Sequence, residues 1–258
     1  MNLILLLEED LITKDRVILY GRRLEHISKV HRANTGDTLN VGLLNSLMGR
    51  GKIISMDKRS VEMEITLDHE PPPPLPLTLV IALPRPKMLR RILQSAAALG
   101  IKEIYIINSW RVEKSFWLSP FLAPDRLKNE LITGLEQAKD TIMPKIYLKR
   151  LFKPFVTEEL LLLAKGGRSS RLSTSSTSAA NNSGINQCKP VAITAHPGAI
   201  YPCPERITQS SILVMGPEGG FIDIEIATLE QAGFTTVNIG RRILRLETAV
   251  PFIVSKLY

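Results

Sequence analysis

The residues with the clearest chemical potential lie in two short stretches near the carboxyl terminus. One is Met215-Gly216-Pro217-Glu218-Gly219-Gly220-Phe221, and the other runs from Ile239 to Val250 as IGRRILRLETAV. The glycines at 216, 219 and 220 can supply positive φ and leave main-chain N–H and C=O groups unshielded, so a ligand can approach the backbone closely. A phosphate loop is excluded, because GxxxxGK followed by Ser or Thr is missing: the turn runs instead into Phe221-Ile222-Asp223. The dinucleotide pattern GxGxxG is absent as well, and the GRGK at Gly49 to Lys52 precedes a strand pattern without the outer glycine. Nucleoside triphosphate hydrolysis is therefore not the chemistry on offer. What remains is a ligand read by exposed backbone, with Arg241, Arg242 and Arg245 close by.

The elements around these stretches have the right order to display them. Ser211 to Met215 reads as a buried strand, and Ile226, Leu229, Ala232 and Phe234 give the following segment an apolar helical face. Asp223 is placed to cap that helix, with Glu225 adding negative charge to its first turn, although Ile226 stands where a capping box would want Glu or Gln. Thr235 to Ile239 is the next strand. After Gly240, the residues Leu246, Val250, Ile253, Val254 and Leu257 recur at helical spacing, and Pro251 is expected in the first turn, where it is tolerated. In open α/β sheets ligands sit beyond the carboxyl ends of strands, and two successive strand-end glycine turns can form two walls of one pocket. Alone, the first is also what a plain tight turn looks like, and the three arginines are what a solvated basic face looks like.

Earlier in the chain of 258 residues, Pro71-Pro72-Pro73-Pro74 marks a boundary, since a proline run is an extended, stiff spacer. Before it, short apolar segments at Arg16 to Tyr20, Thr38 to Leu43, Lys52 to Met56 and Val61 to Leu67 predict a small β-barrel over residues 1–70. The last of them alternates with a period of two. This part carries Arg22, Arg23, Lys29, Arg32, Arg50, Lys52, Lys58 and Arg59. After the prolines, Leu77 to Leu83 is a buried strand, KMLRRILQSAAALG an amphipathic helix stopped by Gly100, and IKEIYIIN a second strand. That order, continued by Val191 to Ala195, predicts a parallel α/β domain over residues 77–258. Residues 166–187 are almost all small and polar and read as a disordered insertion.

The formal net charge of +8 favours polyanionic partners such as nucleic acid, through phosphate contacts and counterion release. Cys188 and Cys203 show neither metal-ligand nor disulfide spacing, which fits a reducing cytoplasm. The amino-terminal MNLILLLEED has no basic leader, and no window is long and apolar enough to span a bilayer. No metal and no membrane partner are expected.

Taken together, MGPEGGF and VNIGRRILRLETA closely resemble the carboxyl-terminal signature of the SPOUT methyltransferases. Within that class they resemble the family that methylates N3 of a uridine in 16S (small-subunit) ribosomal RNA. LPRPKMLRRILQSAAALGIKEIYIINSWRVEKS is similar to that family's first strand–helix–strand unit, and the amino-terminal barrel to its PUA-like RNA-binding domain. The resemblance covers nearly the whole chain outside the insertion. It implies a trefoil-knotted α/β domain, with the chain after Gly240 threaded through an earlier loop, and S-adenosylmethionine bound in the knot. Residue by residue it implies that Met215, Gly216, Pro217, Glu218, Gly219 and Gly220 hold the cofactor from the first loop. From the second loop it implies Ile239, Gly240, Ile243, Leu244, Arg245 and Leu246. Two departures stand out: Leu246 replaces the family's usual Thr, and NSWRVEKS replaces its usual ERS.

The implied reaction needs a cation to stabilise negative charge developing on the uracil, for which Arg245 is the first candidate. Glu247 is the second catalytic candidate, either orienting Arg245 or accepting the N3 proton. A glutamate at a helix start is equally explained by the helix dipole. His26, His31 and His196 are assigned structural roles. Arg85, Lys87, Arg90, Arg91, Arg111 and Lys114 would hold the RNA backbone. The apolar face of the last helix, through Val250, Ile253, Val254 and Leu257, is the expected homodimer interface. Two alternatives stay open: action on another RNA, and a non-catalytic RNA-binding or ribosome-assembly role.

Overall fold

The computed structural model describes residues 2–167 and 189–258. The polar insertion therefore lies, beyond Gly166 and Gly167, outside the described residues, as does Cys188. In chain order the elements begin with strands β1 (Ile4–Leu6), β2 (Leu11–Thr13) and β3 (Arg16–Leu19), then a short helix α1 (Gly21–Glu25) running into a π-helical turn (His26–His31). Next come β4 (Thr38–Leu43), β5 (Met48–Met56), β6 (Val61–His69), β7 (Leu75–Ala82), α2 (Pro86–Ala98), β8 (Ile101–Ile107), α3 (Pro124–Ala138) and β9 (Lys145–Lys149). After α4 (Phe152–Pro154) and α5 (Leu161–Ala164), the chain finishes with β10 (Val191–Ala195), β11 (Tyr201–Pro202), β12 (Ser211–Met215), α6 (Asp223–Gln231), β13 (Thr235–Asn238) and α7 (Leu246–Leu257). Contacts divide these residues into two units. The first runs up to Leu75 and takes in 93–102 and 123–144; the second comprises 76–92, 103–122 and everything from Lys145 onward.

The first unit is built on a six-stranded sheet in the order β1-β4-β5-β6-β3-β2, with β1 and β4 parallel and the pairs β4–β5, β5–β6, β3–β6 and β2–β3 antiparallel. The alternation read in β6 is real: Val61, Met63 and Ile65 point into a core shared with Leu6, Val17, Leu19, Ile27, Val41 and Ile53. The apolar run at the amino terminus, tested in the sequence only as a leader, is instead the edge strand β1, buried at all three positions. Part of the basic set of this unit is already committed. Arg23 pairs with the buried Asp10 and donates to the Leu5 carbonyl, while Arg22 reaches both oxygens of the fully buried Glu136 carboxylate at 3.0 and 3.1 Å. An uncompensated carboxylate at that depth would be costly, so the role of Arg22 here is structural.

The second unit is organised by a seven-stranded sheet in the order β11-β13-β10-β12-β7-β8-β9. The pairings β11–β13, β10–β13, β10–β12, β7–β12 and β8–β9 are parallel. Its central strands read as continuous apolar runs because both faces are covered; all five residues of β12 are buried. Helix α7 begins at Leu246, so Pro251 stands in its interior and not, as the sequence suggested, in its first turn. Without an N–H, Pro251 cannot serve the carbonyl four residues earlier, and the packing of α7 offsets that loss. Val250, Ile253, Val254 and Leu257 supply that packing and are buried within this chain, between 0% and 5% exposed. They are therefore not the open dimer face the sequence suggested; the outward residues of α7 are Thr248, Phe252 and Ser255. The far end of α7 is pinned by Tyr258, whose hydroxyl bonds Ser211 Oγ and the Pro76 carbonyl, each at 2.8 Å. Cys203 is free and buried, and burial pushes its thiol pKa up. Among the described residues no helix is long and apolar enough to cross a membrane, and no cluster of three His, Cys, Asp or Glu side chains could hold a metal.

Gly134 in α3 gives a test of packing in the first unit. In an open helix, Gly→Ala gains about 1 kcal/mol of propensity. Here the added methyl would press on the Gln94 carbonyl oxygen and lie 2.8 Å from the Ala97 methyl. Gly134→Ala is therefore expected to destabilise, by on the order of 1–3 kcal/mol, seen as a lowered thermal midpoint in calorimetry. A raised midpoint would contradict the close helix contact.

Candidate functional site

Strand β10 sits between β12 and β13 and is parallel to both, with Thr194 opposite Val214 on one side and Thr236 on the other. Three neighbouring strands thus release their loops at the same end of the sheet. These loops, 195–197 after β10, 215–220 after β12 and 239–246 after β13, line a cavity of about 260 Å3, joined by Ala249 from α7. The two glycine turns read from the sequence do face one space. Of the residues predicted to hold a ligand, Met215, Gly216, Pro217, Glu218, Gly220, Ile239, Gly240, Ile243, Leu244, Arg245 and Leu246 line it and Gly219 does not; nor does the catalytic candidate Glu247.

The glycines have different jobs. Only Gly220 in the first turn has positive φ, at +73°, and Gly240 in the second has +143°. Gly216 was expected to use the same freedom, yet its φ is ordinary. What it needs is the missing side chain, since a Cβ there would sit 3.0 Å from the Phe221 nitrogen. Gly219 likewise has no positive φ; its carbonyl accepts from Arg111, whose side chain packs on its Cα side. Glycines and apolar residues make up most of the cavity wall, with charge confined to Glu218 and the arginines.

Sequence reasoning missed the third wall. Ala195, His196 and Pro197 follow β10, and His196 Cε1 would lie 3.5 Å from a Cβ on Gly220. The signal was present in His196-Pro197-Gly198 directly after a predicted strand, but it has no motif around it and was set aside as structural. Its backbone is fixed by a 2.9 Å bond from His196 N–H to the Val237 carbonyl. Arg241 and Arg242 also line the cavity and remain exposed.

Glu225 organises the neighbouring loop. Helix α6 starts at Asp223 with Ile222 as its N-cap, so Asp223 is not the cap the sequence assigned. The third helical residue is Glu225, and its carboxylate accepts from the Ile222 N–H at 3.1 Å, the acidic half of a capping box. The same carboxylate, 6% exposed, also accepts from Ser109 Oγ at 3.2 Å and the Trp110 N–H at 2.8 Å. One buried side chain therefore ties the 109–112 turn, which follows β8, to the end of the glycine turn.

The two catalytic candidates differ in setting. Arg245 is exposed at the cavity, has no ion-pair partner among the described residues, and is the N-cap of α7. Glu247 does not orient Arg245. One of its oxygens lies 3.6 Å from the Arg91 guanidinium, and the other, Oε2, is buried with no hydrogen-bond partner. A buried acceptor left unpaired is expensive, on the order of 1–3 kcal/mol.

A family model described as an RNA methyltransferase domain matches residues 71–258. The chain is 27% identical over 251 residues to ribosomal RNA small subunit methyltransferase E of Treponema pallidum, covering 96% of this chain and 87% of that one. It is 25% identical over 249 residues to ribosomal RNA small subunit methyltransferase E 1 of Borreliella burgdorferi, covering 96% and 94%. Among solved structures it superposes on ribosomal RNA small subunit methyltransferase E from Neisseria gonorrhoeae bound to S-adenosyl methionine, with a TM-score of 0.68, 20% identity and coverage of 99% and 95%. A Legionella pneumophila structure in complex with the bound cofactor SAM gives a TM-score of 0.66 at 19% identity, covering 98% and 95%. At those identities the structural likeness is one of fold.

Removing the Glu225 carboxylate strands three donors at once. Glu225→Ala is expected to lower stability by about 1–3 kcal/mol and to speed amide exchange at Trp110 and Ile222 while leaving the β12 amides protected. Unchanged exchange at both amides would show that the carboxylate does not hold the turn.

Proposed function

The chain belongs to the RNA methyltransferase domain family, and we propose that it transfers a methyl group from S-adenosylmethionine to N3 of a uridine in small-subunit ribosomal RNA. The observation that carries the reading is the cavity enclosed by the two glycine turns. The relatives from Treponema and Borreliella carry the name of a small-subunit ribosomal RNA methyltransferase, and the Neisseria and Legionella neighbours hold the cofactor. The choice of uridine N3 rests on the two motifs MGPEGGF and VNIGRRILRLETA. We take residues 1–70 as a PUA-like RNA-binding domain and 77–258 as the methyltransferase domain, with its last segment knotted. The bonds from Arg206 and Ile207 N–H to the carbonyls of Lys256 and Leu257 support that segment's tight passage.

The residues present suit this cofactor. A Cβ at Gly216 would crowd the backbone of the turn, and Gly220 and Gly240 hold conformations that expose main-chain groups. Such a cradle can hydrogen-bond a purine edge through N–H and C=O groups, while Met215, Leu244, Leu246 and Ala249 give it apolar walls. When bound there, S-adenosylmethionine supplies an electrophilic methyl carbon. The protein's own task is to present the uracil and make N3 nucleophilic.

N3 carries a proton and gains nucleophilicity only as that proton leaves. Arg245, exposed and unpaired, is suited to stabilise negative charge building on a uracil oxygen. For Glu247 to accept that proton, RNA binding would have to uncover its buried Oε2, which does not line the cavity; its other oxygen lies 3.6 Å from the Arg91 guanidinium. Arg85, Lys87, Arg90 and Lys114 would contact phosphates, and a stacked target base would have to leave its stack first. A homodimer through α7 would use the outward Phe252, which is 41% exposed.

The test is mass spectrometry of nucleosides from small-subunit RNA incubated with the protein and S-adenosylmethionine, with transfer RNA as the competing substrate. 3-Methyluridine is expected in the ribosomal RNA alone; methylation of transfer RNA only, or no cofactor binding by calorimetry, would sink the reading. Arg245→Ala is expected to lower kcat by on the order of 100-fold with cofactor affinity kept. Unchanged turnover would remove Arg245 from the mechanism. Phe252→Glu, in turn, is expected to turn a dimer into a monomer in sedimentation analysis.

A further inference from the structure

The chain has two tryptophans, both in the segment after β8. Trp117 is occupied: its indole N–H donates to Asn108 Oδ1 at 2.9 Å, and the Arg150 guanidinium lies 5.4 Å from its ring centre. Trp110 is bare, with 79% of its surface exposed. A large aromatic ring left in water is unusual for a side chain with no task.

The backbone beneath that ring is firmly held. Ser109 and Val112 are buried, and the turn between them is closed by the Val112 N–H donating to the Ser109 carbonyl at 3.0 Å. The Trp110 N–H is held at 2.8 Å by buried Glu225, and Arg111 is anchored on the Gly219 carbonyl of the cofactor turn. A tryptophan has two side-chain torsions, so fixing its backbone removes much of the entropy that binding would otherwise cost. The turn follows β8 at the same sheet end as the cavity, in NSWRVEKS, where the chain departs from its family.

We propose that Trp110 is a stacking platform for an unpaired base of the RNA substrate, positioned by Glu225 beside the cofactor turn. RNA is the occupant that the charge favours: the chain carries +8, and Arg111 and Lys114 follow Trp110 within four residues. Sequence-specific RNA recognition acts on splayed bases stacked on aromatic rings, and such stacking tolerates any base. Trp110 does not line the cavity, so its contribution falls on RNA and not on the cofactor. The inference takes RNA as the ligand from the function proposed above.

The test uses Trp117→Phe, in which Trp110 is the sole indole, titrated with single-stranded oligouridine RNA and no cofactor. Stacking is expected to quench the indole fluorescence saturably. In parallel, Trp110→Ala is expected to weaken affinity for small-subunit RNA by roughly 5- to 150-fold, the effect of losing one stacked base. Trp110→Phe is expected to retain most of the affinity, and both variants to bind S-adenosylmethionine as the parent does. Methylation by the parent is measured separately: quenching without methyl transfer would keep the platform and sink the proposed reaction. Methyl transfer with no quenching and no loss in Trp110→Ala would overturn the platform and leave the reaction. A Trp110→Ala chain that dissociates from dimer to monomer, with fluorescence of the single-indole variant blind to RNA, would assign the ring to a second copy and overturn the inference as well.

Discussion

The parallel registration of β10 with strands on both sides is the constraint from which the site follows. Parallel strands cannot be joined by tight hairpins, so every crossover returns to the start of the sheet and every loop after a strand leaves at one end. Because β13, β10 and β12 are immediate neighbours, their three following loops must share a small volume whatever their sequences. The cavity is therefore a product of topology, and the local residues decide only what it can hold. Gly216 keeps the turn narrow enough to stay clear of Phe221, and Gly220 and Gly240 turn the chain through conformations that other residues rarely adopt.

Two glutamates show how differently one side chain can be used near such a site. Glu225 is buried and serves three donors, so its burial is compensated and its effect is rigidity: the turn at 109–112 and the glycine turn move as one. Glu247 is also largely buried, at 14% side-chain exposure, yet only one of its oxygens has a partner. A protein can tolerate an unmet acceptor where function uses it, and local violations of good packing practice concentrate at working sites. The contrast gives the first a structural role and leaves the second with a buried acceptor that no described residue satisfies.

Much of this was legible in the sequence because its signals were local. The alternation of Val61, Met63 and Ile65, the apolar runs of β7, β8, β10 and β12, and the strand-end glycines each report their surroundings within a few residues. What escaped notice depends on partners distant in the chain. His196 becomes a wall only because β10 lies between two strands whose place in the sheet no local pattern encodes. Glu225 reads as a dipole effect until Ser109 and Trp110 come to it from 116 and 115 residues away. The apolar face of α7 reads equally well as a subunit interface or as core, since burial by a second copy and burial by the same chain leave one periodicity. Pro251 was misplaced because Arg245 does not look like a helix cap, although its extended backbone makes it one.

The distribution of charge completes the picture. A net charge of +8 suggests a broadly basic molecule, but several of its cations are tied internally: Arg23 to Asp10, Lys102 to Asp140 and Lys149 to Glu159. Cations engaged with nearby carboxylates add little to the outer field. Arg241, Arg242 and Arg245, without ion-pair partners among the described residues, all stand on the cavity wall, and their field is felt there. Electrostatic attraction of this kind raises encounter rates and orients the partner without specifying a base. Specificity must then come from groups that touch the base itself. At the end of the sheet that gathers the loops stand the cavity, the exposed Arg245 on its wall and the exposed ring of Trp110 on the turn after β8.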